Sequence, residues 1–282
     1  MTIAITGATG QLGRLAVAAL KARAPQANLL ALVRDPAKAA DLGVPARAFD
    51  YLKPDAQAAA LAGVDTLVLI SSNDFNDRAG QHANVIAAAK AAGVARIIYT
   101  SILKGAASPM TLLPADHIKT EALLQEAGLP ATILRNGWYT ENYTGTLSAA
   151  LEHGAIIGSA GEGQLSTASR ADYAEAIAVV ALDAAHTGKV YELAGDDSYT
   201  LADLAGEVAR QSGKPVAFIN LPEADYAKAL EGFGLPAGFA ATLADSDASA
   251  SRGALFDDSR TLSRLIGRPT TPMAETVKAA LG

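Results

Sequence analysis

Apolar residues fall along this chain in short, nearly unbroken runs separated by longer alanine-rich stretches with helical spacing. The first run, Thr2-Ile3-Ala4-Ile5-Thr6, is followed by three glycines and then by Leu15-Ala16-Val17-Ala18-Ala19-Leu20. Further runs at 29–33, 46–50, 66–71, 96–100 and 132–134 have β character, and 83–92 and 115–127 have helical composition, with Gly93 and Gly128 as stops. Strand–helix alternation predicts parallel strands joined by crossover helices, and continuous rather than alternating apolar strands predict a sheet covered on both faces. The expected fold is α/β, a Rossmann-like doubly wound parallel sheet with a smaller, mostly helical C-terminal lobe.

The rhythm breaks beyond about residue 137. A helical stretch at 143–152 leads into a glycine-rich segment at 154–163, then a helix at 170–184 and a strand-like run at 189–193. The remainder reads as mostly helical, with loops at 232–238 and 268–272. The expected division is a dinucleotide-binding domain at 1–137 to which 166–195 returns, and a smaller substrate-binding lobe from 138–165 and 196–282. The lobe is expected to close over the carboxyl edge of the sheet, where ligands bind in open α/β folds.

Composition narrows the possibilities. A chain of 282 residues, half of them hydrophobic, suffices for one large core. A formal charge of −6, without any run of Lys or Arg, lacks the basic stripe that nucleic acid or anionic lipid requires, so neither is an expected partner. With no cysteine, disulfides, thiolate metal sites and cysteine nucleophiles are excluded. The four histidines have no metal-ligand spacing. The amino end has no signal-peptide pattern and no apolar stretch is long enough to span a membrane, so the expected location is cytoplasmic. A homodimer is left open.

The glycine segment carries the first chemistry. In Gly7-Ala8-Thr9-Gly10-Gln11-Leu12-Gly13 the turn joins a buried strand to a helix whose first N–H groups have no intrahelical acceptor, a setting suited to a dinucleotide pyrophosphate. Gly7 would make the turn, Gly10 face the pyrophosphate and Gly13 let helix and strand pack. The spacing is GxxGxxG rather than GxGxxG, and alone it also fits a purely structural turn. Arg34 follows the second strand, where an acid would hold a ribose 2′-OH and a guanidinium a 2′-phosphate; it favours NADP(H), with Asp35 beside it as the counter-argument. Asp50, after the third strand, either accepts from an adenine amino group or forms a turn.

With Leu32-Val33-Arg34, Leu69-Ile70-Ser71-Ser72, Leu134-Arg135-Asn136-Gly137-Trp138-Tyr139, Lys189-Val190-Tyr191-Glu192-Leu193-Ala194-Gly195, Leu255-Phe256-Asp257-Asp258-Ser259 and Leu265-Ile266-Gly267, the glycine segment resembles the NmrA-like branch of atypical short-chain dehydrogenases. Within that branch the chain is similar, end to end, to the bacterial NADPH-dependent quinone oxidoreductases; triphenylmethane dye reductase shares the plan. The resemblance implies NADPH as reductant, a quinone as hydride acceptor and no bound flavin. It also implies that the loop of Ser71 and Ser72 approaches the cofactor, although these residues equally suit a cap for the next helix.

Ordinary short-chain dehydrogenases use a serine with a Tyr-x-x-x-Lys pair to protonate an alkoxide. Here Thr100-Ser101 ends the fifth strand, but the following helix reads His117-Ile118-Lys119-Thr120-Glu121, without that pair. Hydride addition to a ketone leaves an alkoxide whose conjugate acid has a pKa of roughly 16, like water, whereas a quinone gives a phenolate-like oxygen near about 10. That gap, roughly 8 kcal/mol, lets a quinone reductase work without a strong built-in acid. Triarylmethane dyes, which need no proton, satisfy the same logic, as does an NADP-binding redox sensor that performs no chemistry.

Three residues are candidates for the reaction itself. Asn136 would donate to a carboxamide or substrate oxygen; with Gly137, Trp138 and Tyr139 it enters the cleft after the sixth strand, where an aromatic face suits a quinone ring. Tyr139 is therefore a second candidate, and Asn136 through Tyr139 are expected to reach the cofactor as well. His117, oriented by Glu121 one turn on, is the candidate proton donor, against the alternative of a structural histidine.

Overall fold

The computed structural model describes residues 1–74 and 77–282. Its strands are Thr2–Thr6 (β1), Asn28–Val33 (β2), Ala46–Ala48 (β3), Thr66–Leu69 (β4), Arg96–Ile102 (β5), Ala131–Asn136 (β6), Ala155–Gly158 (β7), Val190–Leu193 (β8) and Ala217–Asn220 (β9). Seven of them form one sheet in the order β3-β2-β1-β4-β5-β6-β8. β1 pairs in parallel with β2 and β4, with Ile5 level with both Ala31 and Val68, and β5 continues in parallel from β4. The expected doubly wound Rossmann-like sheet is present, and the strand order reverses between β1 and β4. In open sheets of this kind the loops leaving the two strands at such a reversal diverge at the carboxyl ends, at the crevice where ligands bind.

Contacts divide the chain into two compact units. The first comprises Met1–Ile102, Asp116–Arg135 and Arg170–Tyr191, the second Leu103–Ala115, Asn136–Ser169 and Glu192–Gly282.

In the first unit every second residue of the central strands enters one apolar layer: Leu30 and Leu32, Leu67 and Leu69, Ile97 and Tyr99, closed by Val85, Ile86 and Leu124 from helices Arg78–Ala91 and Pro114–Ala127. The intervening residues Ile3, Ile5, Val68 and Ile98 are equally inaccessible, so both faces are covered. Each fully buried Leu or Ile contributes roughly 2 kcal/mol by leaving water. Helix Gln11–Arg23 buries Leu12, Gly13, Ala16, Val17, Ala19 and Leu20 and packs against helix Arg170–Leu182, whose alanines allow close approach. Arg96 is buried at the start of β5 and donates to the carbonyls of Val180, Ala181 and Asp183, closing the end of that helix.

The second unit departs from the sequence reading in two places. The glycine-rich segment contains a strand: β7 pairs in parallel with β9. The helix expected at 143–152 is broken into Glu141–Thr144 and Leu147–His153 around Gly145, where a Cβ would lie 2.9 Å from the Glu141 carbonyl oxygen. Helix Leu201–Ser212 begins with a capping box between Thr200 and Asp203 and buries Leu201, Leu204, Ala205 and Val208. Helix Ala237–Ala250 carries two buried carboxylates: Asp245 receives Thr111 N at 2.9 Å and Leu112 N at 3.0 Å, and Asp247 receives Ser159 N and Tyr143 Oη.

Candidate cofactor and substrate site

The glycine loop is shaped by sterics. Gly7 has φ +58°, a conformation open to glycine at no steric cost, and its carbonyl receives Gly10 N at 2.9 Å. At Gly13 a Cβ would lie 2.2 Å from Gly7 O and 2.7 Å from Ala8 Cα, so the helix rests directly on the loop backbone. Ala8 and Leu12 are buried beneath it, Thr9 is half-buried, and Gly7, Gly10 and Gln11 are exposed. Gly10 is the helix N-cap with no side chain to satisfy the first N–H groups, and the first turn holds no acid. An uncapped, acid-free N-terminus of a 13-residue helix is an anion-binding arrangement. Gly10 itself has a backbone reason to be small, since its Cβ would stand 3.2 Å from Gly7 O.

At the end of β2, Arg34 is exposed and makes no hydrogen bond among the described residues, while Asp35 is committed to capping the 3₁₀ helix Pro36–Leu42 through Ala37 N at 3.1 Å. The acid that would compete for a ribose hydroxyl is thus occupied and the guanidinium is available. Arg14, one turn into the first helix, ties the two loops together. It donates to Thr9 O at 3.1 Å, to Lys38 O at 3.3 Å and to Asp41 at 2.5 Å, and this partner holds the Asp41 carboxyl below its usual range. Asp50 lies beyond the short β3. One of its oxygens receives Leu52 N at 3.0 Å, the turn-forming use, and the buried Gln57 amide donates to Asp50 O at 2.9 Å.

The loop after β4 is bound inward. Ser71 N donates to Thr100 Oγ1 at 2.9 Å, Ser72 N to His82 Nε2 at 2.9 Å and Ser72 Oγ to Gln81 Oε1 at 2.7 Å; Arg78 Nε donates to Ser72 O at 2.6 Å. The Ser72 side chain is therefore engaged in shaping this loop, close to the capping use that its sequence position also allowed. His117 requires a correction. Its Nδ1 lies 2.8 Å from Tyr99 Oη, the ring is buried, and desolvation, with Arg78 and His82 nearby, drives its pKa well below 6.5. A ring that stays neutral in neutral solution holds no ionic proton to give. Glu121 does not orient it either, being bonded to Arg135 Nη2 at 2.6 Å and to Ser101 Oγ at 2.6 Å. Lys119 points to solvent, leaving the dehydrogenase pair absent in space as in sequence.

In the second unit Asn136 to Thr140 is pinned on both sides. Gly137 N donates to Leu193 O at 2.7 Å, Ala168 N to Trp138 O at 3.2 Å and Thr140 N to Ala168 O at 3.0 Å. Trp138 is only 8 % exposed and anchors this segment, whereas Tyr139, the other aromatic expected to offer a ring face, is half-buried. Asn136 is 3 % exposed; its Nδ2 lies 3.5 Å from Tyr139 Oη, and its Oδ1 is buried with no partner. A buried amide oxygen without a donor costs about 1–3 kcal/mol, which a ligand N–H or O–H would recover.

Residues 7–184 match the NAD(P)H-binding protein family. The chain belongs to this family. It is 55 % identical to quinone oxidoreductase 2 of Escherichia coli, the match covering 98 % of this chain and 97 % of that protein. The crystal structure of the E. coli NADPH-dependent quinone oxidoreductase complexed with NADPH is similar with a TM-score of 0.95, 54 % identity, and coverage of 99 % and 100 %. Triphenylmethane reductase from Citrobacter sp., solved with NADP(H), has a TM-score of 0.92 and 36 % identity, with 99 % of both chains covered.

In the first unit the donors present fit the phosphate groups of an NAD(P)H: an open helix N-terminus and, at Arg34, a guanidinium with no partner among the described residues. Among the described residues no helix is long and apolar enough to cross a membrane, and no group of three His, Asp or Glu could hold a metal ion. Sequence reading missed Arg14, Gln57 and His82. Arg14 and Gln57 carry no motif, and nothing in the sequence sets His82 apart from Gln81 and Asn84 in the same helix.

Proposed function

We propose that this protein is a flavin-free NADPH:quinone oxidoreductase. The observation that carries this reading is an open NAD(P)H site combined with the absence of a Tyr-Lys acid pair, a combination adequate for an acceptor that leaves a stable oxyanion. The similarity to the E. coli enzyme over nearly the whole of both chains supports the quinone as acceptor. Bound NADPH supplies two electrons and a proton as hydride; with one proton from solvent the quinone becomes a hydroquinone.

The protein's own part is binding and placement. The first turn of helix Gln11–Arg23 takes the pyrophosphate, with Gly7, Ala8, Thr9, Gly10, Gln11, Leu12 and Gly13 forming the cradle. Arg34 takes the 2′-phosphate through charge-assisted hydrogen bonds, and Asp50 borders the adenine. Ser71 lines the nicotinamide side of the crevice. Asn136 and Tyr139 supply hydrogen bonds to the carboxamide or the forming oxyanion, and the Tyr139 ring offers a face to the quinone. Residues 138–165 and 196–282 form the substrate-binding lobe. The enzyme is cytoplasmic, acts on a small-molecule quinone and binds no nucleic acid.

The test is loss of NADPH absorbance by purified, flavin-free protein with a small benzoquinone, repeated with NADH. Saturable turnover favouring NADPH is expected. Tight NADPH binding without turnover would overturn the assignment in favour of a redox sensor, and turnover confined to a triarylmethane dye would replace the acceptor.

A further inference from the structure

We propose that His82 is a positioning residue for the cofactor, acting through the backbone of Ser72. The imidazole, fully buried in helix Arg78–Ala91, is the node at which the loop after β4 is hung from helix Pro114–Ala127. Ser72 N can only donate, so Nε2, at 2.9 Å, must carry a lone pair. The other nitrogen, Nδ1, then bears the proton and donates to Thr120 Oγ1 at 2.9 Å, and Thr120 passes its own proton to Asp116 O at 2.7 Å. The chain of donors has one direction throughout, which fixes a single neutral tautomer.

The ring is wedged edge-on between two tyrosines, its centroid 6.2 Å from that of Tyr51 and 5.4 Å from that of Tyr99. Tyr51 Oη itself donates at 2.8 Å to Ile70 O, so the wedge reaches the first residue beyond β4. Arg78, buried one turn earlier, fixes Ser72 O from the same helix. The N–H and carbonyl of Ser72 are therefore both set by one helix, and the loop leaving β4 has its path fixed at the point where the strand order reverses. A cofactor lying across that crevice meets the Ser71–Ser72 backbone, and its affinity depends on that path being settled before binding. The assignment rests on this loop bordering the bound cofactor.

The test reads binding rather than turnover, so it stands even where the acceptor is not a quinone; wild-type protein that binds no NADPH would instead refute the cofactor site. Fluorescence titration with NADPH and with NADH is made on wild type, His82→Leu, His82→Gln and Thr120→Val. His82→Leu is expected to weaken both cofactors alike, by about tenfold, with the NADPH:NADH preference and the quinone KM unchanged. His82→Gln, whose amide oxygen replaces Nε2, should recover most of the loss. Thr120→Val, which keeps the ring but removes the acceptor of its N–H, should weaken binding by about threefold. Nitrogen NMR of the wild type at neutral pH should show His82 protonated on Nδ1 alone. Unchanged NADPH affinity in a folded His82→Leu, or in Thr120→Val where the leucine variant does not fold, would overturn the proposal, as would a proton on Nε2.

Discussion

Gly13 and Gly7 touch backbone to backbone: a single methyl group on Gly13 would sit 2.2 Å from the Gly7 carbonyl oxygen. The glycine turn and the helix that starts from it are held together by a contact that leaves no room for a side chain. Gly13→Ala must push the helix away from the loop. Overpacking of this kind costs about 1–3 kcal/mol, visible as a lowered Tm. With the displaced atoms at the proposed pyrophosphate site, NADPH and NADH should lose affinity together. A variant with unchanged Tm and unchanged affinity would show that the contact relaxes freely.

Arg34 has the opposite signature, since it is exposed and supports nothing within the protein. Arg34→Ala should leave Tm unchanged while raising KM for NADPH by about 10- to 100-fold, the loss of one or two charge-assisted hydrogen bonds. KM for NADH should barely move. Initial rates with both cofactors decide, and equal effects on the two would remove the 2′-phosphate assignment.

Burial makes His82 an acid-sensitive element of stability. In the unfolded chain its proton binds near pH 6.5, whereas in the fold desolvation, with Arg78 nearby, pushes the pKa down to about 3. Between these values the unfolded state binds more protons, so stability rises with pH across this window and levels off above it. At pH 5 the expected loss relative to pH 7.5 is about 2 kcal/mol from this residue. Urea unfolding at the two pH values measures it. His82→Gln, with nothing to titrate, should show a pH dependence smaller by that amount, whereas identical dependence in both proteins would contradict the burial argument. His117, depressed mainly by burial and Arg78, is present in both and largely drops out of the difference; only the share of its depression that comes from His82 goes with the substitution.

The parts of this protein that could be read from its sequence are those in which one residue type has one physical use. Short continuous apolar runs bounded by glycines and alternating with helical stretches suit strands covered on both faces, and the spacing of Gly7, Gly10 and Gly13 between strand and helix marks the turn. Position at the end of a strand singled out Arg34 and Asn136 as candidates. What escaped was set by partners distant in the chain. β7 and β9 are four residues each and pair only with one another, so neither carries a local signal strong enough to stand apart from the glycine-rich segment or the helical tail. Ser72 and His117 have residue types suited to chemistry. It is Gln81, His82 and Arg78 around the one, and Tyr99 and burial around the other, that assign them to structure. Trp138 and Tyr139 are adjacent aromatics; the bonds of Trp138 O and Thr140 N to Ala168 secure this segment, in which Trp138 is buried and Tyr139 half-buried.

Asn136 is where stability and activity should separate. Its Oδ1 is buried without a partner, so the fold bears a polar atom that it does not satisfy, and Nδ2 has only the long 3.5 Å contact to Tyr139 Oη. Replacing the amide with an apolar side chain of similar size removes that penalty, and Asn136→Leu should be as stable as the wild type or more so, by up to about 2 kcal/mol. If the amide exists to meet a ligand, the same change should lower kcat/KM for the quinone by at least about tenfold, with NADPH affinity at the Arg34 end preserved. Thermal unfolding and steady-state rates on one preparation read both effects. A destabilised variant would mean that the amide has a structural partner after all; a stable variant with full activity would place the reacting atoms elsewhere along the segment, with Tyr139 the next residue to replace.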